Sequence, residues 1–294
     1  MKKIAIIGLS GNSLFYSLDN LPKEGETLKA KEFHMEVGGK GYNQAIACKR
    51  LGLDVYYLSA IGNDINGKEC IDFMEKEGVK HHFVIKEKPT ATASILKSVD
   101  SSNEVIVYHG ANNDLNIEDV KQFEKYITDC DCVLLNYEIP YETLKYAIKI
   151  AKENKKLIVL NPAPYIYDDL DILKNVDIVC PNELEFEEIV KCKCENFSDI
   201  EKLYKKSGLN KLVITLGSKG CFICDENEFT FIEAYRVKAV DTTGAGDVFN
   251  ASLCYALLEG KSLKEASKFA SKVAAISVTK EYVMNAIPKL EEIK

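Results

Sequence analysis

Short apolar runs alternate along the chain with longer stretches in which apolar residues recur every three or four positions. The short runs end in polar, Gly or Pro residues, a pattern typical of strands buried on both faces. The predicted strands are residues 3–8, 54–62, 132–138, 156–164, 176–183 and 211–217. The predicted helices are residues 41–52, 68–78, 142–154 and 200–208. This alternation indicates an α/β fold in which helices cover both faces of a doubly wound, mainly parallel sheet.

Two segments depart from the alternation. Residues 12–36 and 91–109 resemble strands without intervening helices, and the second resembles a hairpin that turns near residues 99–104. We expect them to form a small antiparallel β-sheet lid over the carboxyl ends of the main strands, where ligands of open α/β sheets bind. No linker rich in Pro, Gly or Ser divides the sequence, so residues 1–294 are expected to form a single α/β domain.

Charge and hydropathy exclude several classes of function. The net charge of −7 argues against non-specific nucleic-acid binding, which requires clustered Lys and Arg residues. The apolar runs are shorter than the roughly 20 residues that a membrane-spanning helix needs. The N-terminal run is also too short for a signal peptide. We therefore expect a cytoplasmic protein without nucleic-acid or membrane partners.

The ten cysteines include two Cys-x-Cys pairs, Cys130 with Cys132 and Cys192 with Cys194. No histidine is close to either pair in the sequence, and the spacing differs from that of zinc ligands. We predict that the cysteines are reduced and pack as small apolar residues.

Residues 62–68 match the glycine and lysine positions of a phosphate-binding P-loop. The next position should carry Ser or Thr to bind Mg²⁺, but Glu69 occupies it. The glycines of residues 244–249 likewise lack the third glycine of a dinucleotide-binding motif. We interpret residues 62–69 as a turn between a strand and a helix.

A glycine-rich helix start surrounds Lys40 in residues 38–45, and Asn43 falls in the first helical turn. Small residues there let a polar ligand approach the backbone, with Lys40 and Asn43 as hydrogen-bond donors. A tight turn that needs positive φ angles is the alternative explanation for the glycines. We favour a binding site, because a turn alone leaves the lysine and the asparagine unexplained.

Two further segments follow predicted strands. In residues 180–189, Asn182 and Glu185 suit either the cap of a helix or a ligand-binding role. Residues 215–220 are a strand end followed by a glycine-rich turn, and a simple hairpin would give the same pattern.

Residues 240–253 turn abruptly from a loop rich in small and polar residues into an apolar helix. The first N–H groups of a helix have no intrahelical partner, so small residues there favour an anion-binding site. Yet Asp247 directly follows Gly244, Ala245 and Gly246. An anion site that carries its own carboxylate needs a further reason, which this segment alone does not supply.

Five of these segments occur in the order and spacing of the ribokinase, or PfkB, family of sugar kinases, which the chain resembles from residue 4 to about residue 290. They are residues 38–45, 160–164, 181–185, 213–220 and 240–253. The resemblance implies a ribokinase-like fold with a β-lid, and a homodimer formed through that lid. It also implies transfer of the γ-phosphoryl group of ATP to a primary hydroxyl of a small sugar, with Mg²⁺.

The resemblance implies roles for particular residues. Asp247 would accept the proton of the sugar hydroxyl, and an ordinary Asp pKa of ~3.9 would leave it ionised at neutral pH. The N–H groups around Gly244, Ala245 and Gly246 would stabilise the charge on the transferring group. The positions that match sugar contacts are Gly39, Lys40, Gly41, Asn43 and Glu138.

Other matching positions concern ATP and cations. Asn182 and Glu185 match a motif associated with Mg²⁺ and phosphate. Asp241 and Thr243 match part of a monovalent-cation site, which in this family usually favours potassium. The positions that match the nucleotide loop are Thr215, Gly217, Ser218, Lys219 and Gly220, with Ser271 at an adenine-side position.

Two positions depart from the family pattern. Ribokinases carry Asn-x-Asp after the first strand, and its Asp binds two sugar hydroxyls, whereas the matching positions here are Gly11 and Ser13. Losing that carboxylate should weaken binding by ~1.5–3 kcal/mol per charge-assisted hydrogen bond. In the cation loop a tyrosine, Tyr282, replaces the usual glycine. Tyrosine disfavours positive φ angles, so we expect the loop to fold differently, which places potassium activation in doubt.

Two alternatives to a sugar kinase stay open. A nucleoside kinase of the same fold is compatible with the loss of the diol-binding Asp, and binding of adenosine or inosine without ATP would distinguish it. A non-catalytic sugar or nucleotide sensor would have no use for a base, and its sequence should have lost Asp247 or the flanking glycines.

Overall fold

The computed structural model of the chain describes residues 1–98, 103–226 and 228–293. The strands, numbered β1 to β13 in chain order, are Lys3–Ile7, Gly11–Leu18, Glu32–Gly38, Asp54–Gly62, Lys80–Lys86, Ala91–Ser98, Asn103–Tyr108, Cys132–Asn136, Leu157–Asn161, Ile178–Val179, Lys211–Thr215, Gly220–Asp225 and Glu228–Glu233. The α-helices, numbered α1 to α10, are Lys40–Arg50, Ile65–Glu77, Ile117–Asp129, Tyr141–Glu153, Leu170–Lys174, Glu183–Val190, Phe197–Ser207, Ala245–Leu258, Leu263–Ser277 and Val283–Ala286.

Within the described residues, the main sheet has nine strands in the order β13-β12-β11-β10-β9-β8-β1-β4-β5. Neighbouring strands from β11 to β5 pair in parallel, and β12 and β13 add an antiparallel edge. All six predicted strands are present, although the one expected over 176–183 contains only the two residues of β10. The sequence thus predicted the mainly parallel sheet correctly.

Helices cover both faces of this sheet. Residues of α1, α2, α8 and α9 share one apolar core with the strand side chains that point toward them. Residues of α3, α4, α5, α6 and α7 share the second core on the opposite face. This is the doubly wound arrangement expected from the alternating pattern, and the four predicted helices correspond to α1, α2, α4 and α7.

A second, smaller sheet contains strands β3, β2, β6 and β7 in that order. It packs against α2 and α10. β2–β3 and β6–β7 are antiparallel, but β2 and β6 pair in parallel, so the expectation of an antiparallel sheet is wrong. The two strands pair in parallel because each follows a strand of the main sheet, β1 before β2 and β5 before β6, and paired residues such as Gly11 and Ala91 are 80 positions apart. The predicted turn of the second hairpin, residues 99–104, lies largely outside the described residues.

The P-loop-like segment is a turn between β4 and α2, as interpreted from the sequence. Asp64 caps α2, and its Oδ1 accepts the N–H of Gly67 at 2.8 Å. A Cβ at Gly67 would lie 2.5 Å from the carbonyl oxygen of Gly62, so close packing requires the glycine. Glu69 accepts a hydrogen bond from the Asn12 amide at 2.8 Å. The carboxylate that broke the P-loop pattern therefore joins α2 to β2.

The cysteines are free thiols, and most are buried among apolar side chains. No three His, Cys, Asp or Glu side chains group as a metal site within residues 1–98, 103–226 and 228–293. In the same part of the chain, no helix has the length and apolar character needed to cross a bilayer.

Candidate active site

A cleft of about 110 Å³ opens at the carboxyl ends of β9, β10 and β11, beside the N-termini of α1 and α8. Its lining includes seven residues predicted from the sequence: Lys40, Asn182, Glu185, Thr215, Gly244, Gly246 and Asp247. The other lining residues are Asn161, Ala163, Cys180 and Asn250. Ligands of open α/β sheets bind at this edge, so the cleft is the candidate active site.

Asp247 is the third residue of α8 and only 6% exposed. The helix begins after Gly244, which has a φ of 75° and whose Cβ, if present, would lie 2.7 Å from Val283. Two side chains of α1 orient the Asp247 carboxylate. Asn43 Nδ2 donates to Oδ2 at 2.7 Å, and Gln44 Nε2 donates to Oδ1 at 3.3 Å. The carboxylate is thus held in one orientation at the edge of the cleft.

The first turn of α8 offers backbone N–H groups to an anion. Those of Gly246 and Asp247 donate to no acceptor within the described part of the chain. A Cβ at Gly246 would meet no atom of the described residues within 4 Å, so the space beside this amide is open. The N–H group of Ala245 donates instead to the carbonyl of Thr242 at 3.2 Å. The turn itself therefore uses one of the N–H groups that the sequence assigned to an anion.

Lys40 supplies positive charge to the cleft. Burial alone would lower the pKa of its ammonium, but the carboxylates of Asp247, Glu138 and Glu185 raise the pKa overall. Burial raises the pKa of Asp247, and Lys40 and the two side-chain hydrogen bonds offset this only in part. The expectation of an ordinary pKa for Asp247 is therefore wrong. Its carboxylate is more basic than that of a solvent-exposed Asp.

Glu138 follows β8 and is buried. Its Oε2 accepts the N–H of Lys40, the first residue of α1, at 2.8 Å. No side chain of its own segment caps α1, so Glu138 serves as a cap from a distant part of the chain. Burial raises the pKa of Glu138 to about 7, although the Lys40 charge acts in the opposite direction. Glu138 was predicted to contact the sugar, but it lies outside the lining of the cleft.

Backbone conformation and close packing explain why glycines stand on both sides of Lys40. Gly39 has a φ of 115°, and a Cβ there would overlap the carbonyl oxygen of Leu9. Gly41 packs so closely against Gly8, the residue after β1, that a Cβ at Gly41 would lie 2.6 Å from the Cα of Gly8. Gly39 therefore has the positive φ of a tight turn, whereas Gly41 is required by close packing against Gly8. The side chain of Lys40 nevertheless reaches the cleft, as the binding-site explanation requires.

Asn182 and Glu185 form a capping box at the start of α6. Asn182 Oδ1 accepts the N–H of Glu185, and Glu185 Oε2 accepts the N–H of Asn182, both at 2.8 Å. Both residues also line the cleft. Within the described residues, the second carboxylate oxygen of Glu185 accepts no hydrogen bond. Capping and ligand binding, which the sequence left as alternatives, are therefore compatible at this position.

The predicted nucleotide loop is the hairpin between β11 and β12. Thr215 ends β11 and lines the cleft, Gly217–Lys219 form a 3₁₀ turn, and Gly220 begins β12. Ser271 lies on α9 and faces β12, with its Oγ 3.7 Å from Cys221 Sγ. The structure therefore brings Thr215 into the cleft, whereas the 3₁₀ turn, Gly220 and Ser271 lie outside its lining.

Asp241 and Thr243, predicted to bind a monovalent cation, lie just before α8 and outside the cleft lining. Asp241 Oδ1 accepts from the N–H and the hydroxyl of Thr243, at 3.0 and 2.7 Å. Its Oδ2 accepts from Lys97 Nζ at 2.5 Å and from the N–H of Tyr282 at 3.2 Å. Burial would raise the pKa of Asp241, but the hydrogen bonds from Lys97 and Thr243 lower it overall.

Tyr282 has a φ of 63°, so this tyrosine adopts the positive φ that its residue type disfavours. Its ring stacks on His34 of β3, with ring centroids 3.7 Å apart, and its N–H bonds to Asp241. In addition, Glu36 of β3 accepts the next N–H group, that of Val283, at 2.7 Å. These contacts with the second sheet hold the unfavourable backbone conformation in place.

Gly11 and Ser13 lie in β2. A Cβ at Gly11 would overlap the carbonyl oxygen of Ala91, so no side chain fits at this position. The hydroxyl of Ser13 lies 2.8 Å from the position that a Cβ of Gly38 would occupy, at the end of β3 next to α1. Neither position supplies a carboxylate, so the departure noted in the sequence persists in the structure.

The sequence analysis did not identify three amide side chains at the site, those of Gln44, Asn161 and Asn250. Gln44 contacts Asp247, and its Nε2 also lies 3.4 Å from Asn161 Oδ1 at the end of β9. Asn250 lines the cleft one turn after Gly246, to whose carbonyl it donates at 2.8 Å. All three lie within segments singled out from the sequence. A signal was available, since a polar amide at a buried position needs a hydrogen-bonding partner.

Comparisons with known proteins agree with this geometry. The model of the pfkB family of carbohydrate kinases matches residues 1–290. The chain belongs to the pfkB family of carbohydrate kinases. It is therefore an ATP-dependent sugar kinase with a ribokinase-like fold, as the motifs predicted.

Individual relatives cover nearly the whole chain. A ribokinase of Haemophilus influenzae is 36% identical over 99% of this chain and 97% of its own length. A deoxyribokinase of Salmonella typhi is 32% identical over 98% of this chain and 96% of its own length. The solved structure of ribokinase from Giardia lamblia has a TM-score of 0.93 at 30% identity and covers 99% of this chain and 97% of its own.

Proposed function

We propose that this kinase phosphorylates a free pentose at a primary hydroxyl and that Asp247 is its base. The position of Asp247 is the observation that carries this proposal. The carboxylate lies in the first turn of α8, next to the open N–H groups of Gly246 and of Asp247 itself. The amides suit the charge that develops on the transferring phosphoryl group, while the carboxylate suits the acceptor hydroxyl.

The environment of Asp247 is consistent with a general base. Its two oxygens already accept hydrogen bonds from Asn43 and Gln44, which fix the direction in which it receives a further proton. Burial raises its pKa, which strengthens it as a proton acceptor, while Lys40 keeps the ionised form accessible. Asp247 would orient the sugar hydroxyl and take its proton as the hydroxyl oxygen bonds to phosphorus and the bond to ADP breaks.

The phosphates of ATP fit the other wall of the cleft. Lys40 would neutralise part of their charge, and Asn182 and Thr215 would contact the nucleotide side. Mg²⁺ neutralises phosphate charge when it is bound, and Glu185 has one carboxylate oxygen suited to hold it. A single carboxylate together with substrate phosphates is a common ligand set for this ion. The exposed hairpin at Gly217–Lys219 would cover the rest of the nucleotide, with Ser271 on the adenine side.

A pentose is proposed because relatives with these names, ribokinase and deoxyribokinase, match almost the full length of the chain. Ser13 stands where ribokinases carry the diol-binding Asp, so binding of ribose should depend on other groups. Asn43 offers one such group, since its Oδ1 is buried and has no hydrogen-bond partner among the described residues. An unpaired buried acceptor of this kind is suited to a sugar hydroxyl.

The test is ADP release from ATP across a panel of ribose, 2-deoxyribose, other pentoses, hexoses, sugar phosphates and nucleosides, with wild-type protein and the Asp247→Asn variant. We expect turnover on a free pentose and its loss by at least 10²-fold in Asp247→Asn. ATP binding should persist, and the variant should fold with a lower melting temperature, because asparagine removes the charge that compensates Lys40 and one of the two acceptors for Asn43 and Gln44. Full activity of Asp247→Asn, or loss of its ATP binding, would contradict the assignment of the base.

Other outcomes of the panel would favour different functions. Turnover on adenosine or inosine, but on no free sugar, would favour a nucleoside kinase. A folded protein that binds ATP but turns over no member of the panel would favour the sensor or a different acceptor. The retained Asp247 argues against a sensor, because binding alone needs no base.

We also propose that two copies associate through the second sheet. Its strands expose large apolar side chains, among them Phe33, Met35, Val105, Ile106 and Val107. Exposed apolar patches of this kind mark association surfaces in globular proteins. The mass by sedimentation equilibrium tests this, and a monomer at micromolar concentration would exclude it.

The free, mostly buried thiols are compatible with a reducing compartment such as the cytoplasm, where ATP is available.

A further inference from the structure

The strongest unassigned feature is an ion pair between the two sheets. Lys97 of β6 places its ammonium 2.5 Å from Asp241, which lies 144 residues further along the chain, just before α8. The side chain of Asp241 is 8% exposed and that of Lys97 is 24% exposed. A charge pair removed from water to this extent is costly to form and costly to break, so its presence calls for a role.

Aromatic rings enclose the ammonium of Lys97. Its Nζ lies 4.8 Å from the ring centroid of Phe15 and 5.9 Å from that of Tyr282. These two rings contact each other edge to face, with centroids 5.5 Å apart. A carboxylate flanked by ring faces binds a compact cation well. In this protein the Lys97 ammonium occupies the position that such a cation would take.

The ligands expected for potassium are already in use. Asp241 accepts two hydrogen bonds from Thr243, one from Lys97 and one from Tyr282, which together account for about four acceptor positions of a carboxylate. The hydroxyl of Thr243 is itself the donor of one of them. Asp241 and Thr243 therefore do not fit the role of potassium ligands in this chain.

The same pair lies next to the catalytic turn. Asp241 binds the backbone of Thr243, the residue directly before Gly244, where the turn into α8 begins. It also binds the N–H of Tyr282, and the following residue, Val283, packs against Gly244. Any cation that fixes Asp241 thereby fixes the backbone that presents Gly246 and Asp247.

We propose that the ammonium of Lys97 neutralises and fixes the carboxylate of Asp241 in place of a dissolved monovalent cation. Turnover therefore needs no potassium. Lys97 is a positioning residue that acts on the first turn of α8 through Asp241. Because it belongs to the second sheet, the catalytic turn is fixed only when that sheet is seated on the main one. The kinetic part of this proposal rests on the proposed function, whereas its thermal part does not.

The test compares wild type with Lys97→Met, which keeps an apolar stem over Phe15 but removes the ammonium. Melting temperature and kcat are measured in tetramethylammonium chloride, KCl and NH₄Cl at equal ionic strength. We expect wild type to give the same kcat, within twofold, and the same melting temperature in all three salts. Lys97→Met should lose at least tenfold in kcat and melt several degrees lower in tetramethylammonium, and KCl or NH₄Cl should restore both in a saturable manner.

Lys86→Met is the matched control. Lys86 pairs with Asp119 at 2.7 Å with similar burial, 16% and 7% exposed, but both residues lie outside the lining of the cleft. Its removal should lower the melting temperature without changing kcat, and no salt should restore the loss selectively. This control separates a cation-specific effect from the general cost of breaking a buried ion pair.

Several results would overturn the proposal. One is a severalfold activation of wild type by KCl over tetramethylammonium, and another is a wild-type kcat for Lys97→Met without potassium. If Lys97→Met does not fold, Lys97→Arg provides the second variant, because it retains the charge and should stay insensitive to potassium. If no acceptor in the panel is phosphorylated, the melting temperatures alone decide. Potassium should then stabilise Lys97→Met and not wild type, and an equal response of both proteins would contradict the proposal.

Discussion

Replacing Gly246 by Ala should stabilise the protein and abolish most of its activity. A Cβ at this position meets no atom within 4 Å in the part of the chain that the structure describes, so the added methyl group causes no steric strain. Gly246 is the second residue of α8, and an alanine there restricts the unfolded chain, which stabilises the fold by about 0.4–1 kcal/mol. For a chain of this size the melting temperature should rise by about 1–3 °C.

The same methyl group would fill the space beside the free N–H of Gly246. If the transferring phosphoryl group lies there, it is displaced from the amides by about 1 Å or more, which lowers kcat by roughly 10²-fold. The assay combines scanning fluorimetry with ADP release at saturating ATP and sugar. A variant with raised melting temperature and unchanged kcat would refute the assignment of this turn as the phosphoryl site.

Gly67→Ala is the control for the sign of the stability change. Gly67 is the third residue of α2, so it also lies in a first helical turn, but its Cβ would lie 2.5 Å from the carbonyl oxygen of Gly62. We expect this variant to lose about 1–3 kcal/mol of stability through overpacking. Its kcat per folded molecule should stay close to that of wild type, because α2 contributes no residue to the cleft lining.

Two further predictions concern the sugar and the buried Glu138. Ser13→Asp should lower the KM for ribose at least tenfold, because a carboxylate restores hydrogen bonds worth ~1.5–3 kcal/mol each. Steady-state kinetics measures this change. An unchanged KM would mean that Ser13 lies away from the sugar. For Glu138, whose pKa rises from 4.5 to about 7 on folding, the favourable contribution is full below pH ~4.5 and is lost as the pH rises through about 7. Glu138→Gln has no such proton to lose, so its free energy of unfolding minus that of wild type should increase by about 2.5 kcal/mol between pH 5 and 8 in urea titrations. A difference that does not change with pH would mean that Glu138 has an ordinary pKa.

The parts of the fold that depend on neighbours within a few positions were predictable from the sequence. Apolar runs bounded by Gly, Pro and polar residues correspond to β1, β4, β8, β9 and β11. The capping box of Asn182 with Glu185 and the start of α8 at Gly244 were also readable locally. Helix caps, strand periodicity and glycine turns arise from contacts along the backbone, so they leave a signal in consecutive residues.

Contacts between distant side chains could not be predicted in this way, because they depend on how the strands are arranged in space. Glu138 caps a helix that begins 98 residues before it, Gln44 reaches Asp247 203 residues away, and Lys97 neutralises Asp241 across 144 residues. The parallel pairing of β2 with β6 was also invisible in the sequence, although residues 91–109 were expected in the second sheet. In a doubly wound fold the order of strands in the sheet, rather than distance along the chain, decides which strand ends share an edge. The raised pKa of Asp247 and the pairing of Asp241 with the Lys97 ammonium depend on this spatial arrangement, because burial and opposite charge act through space.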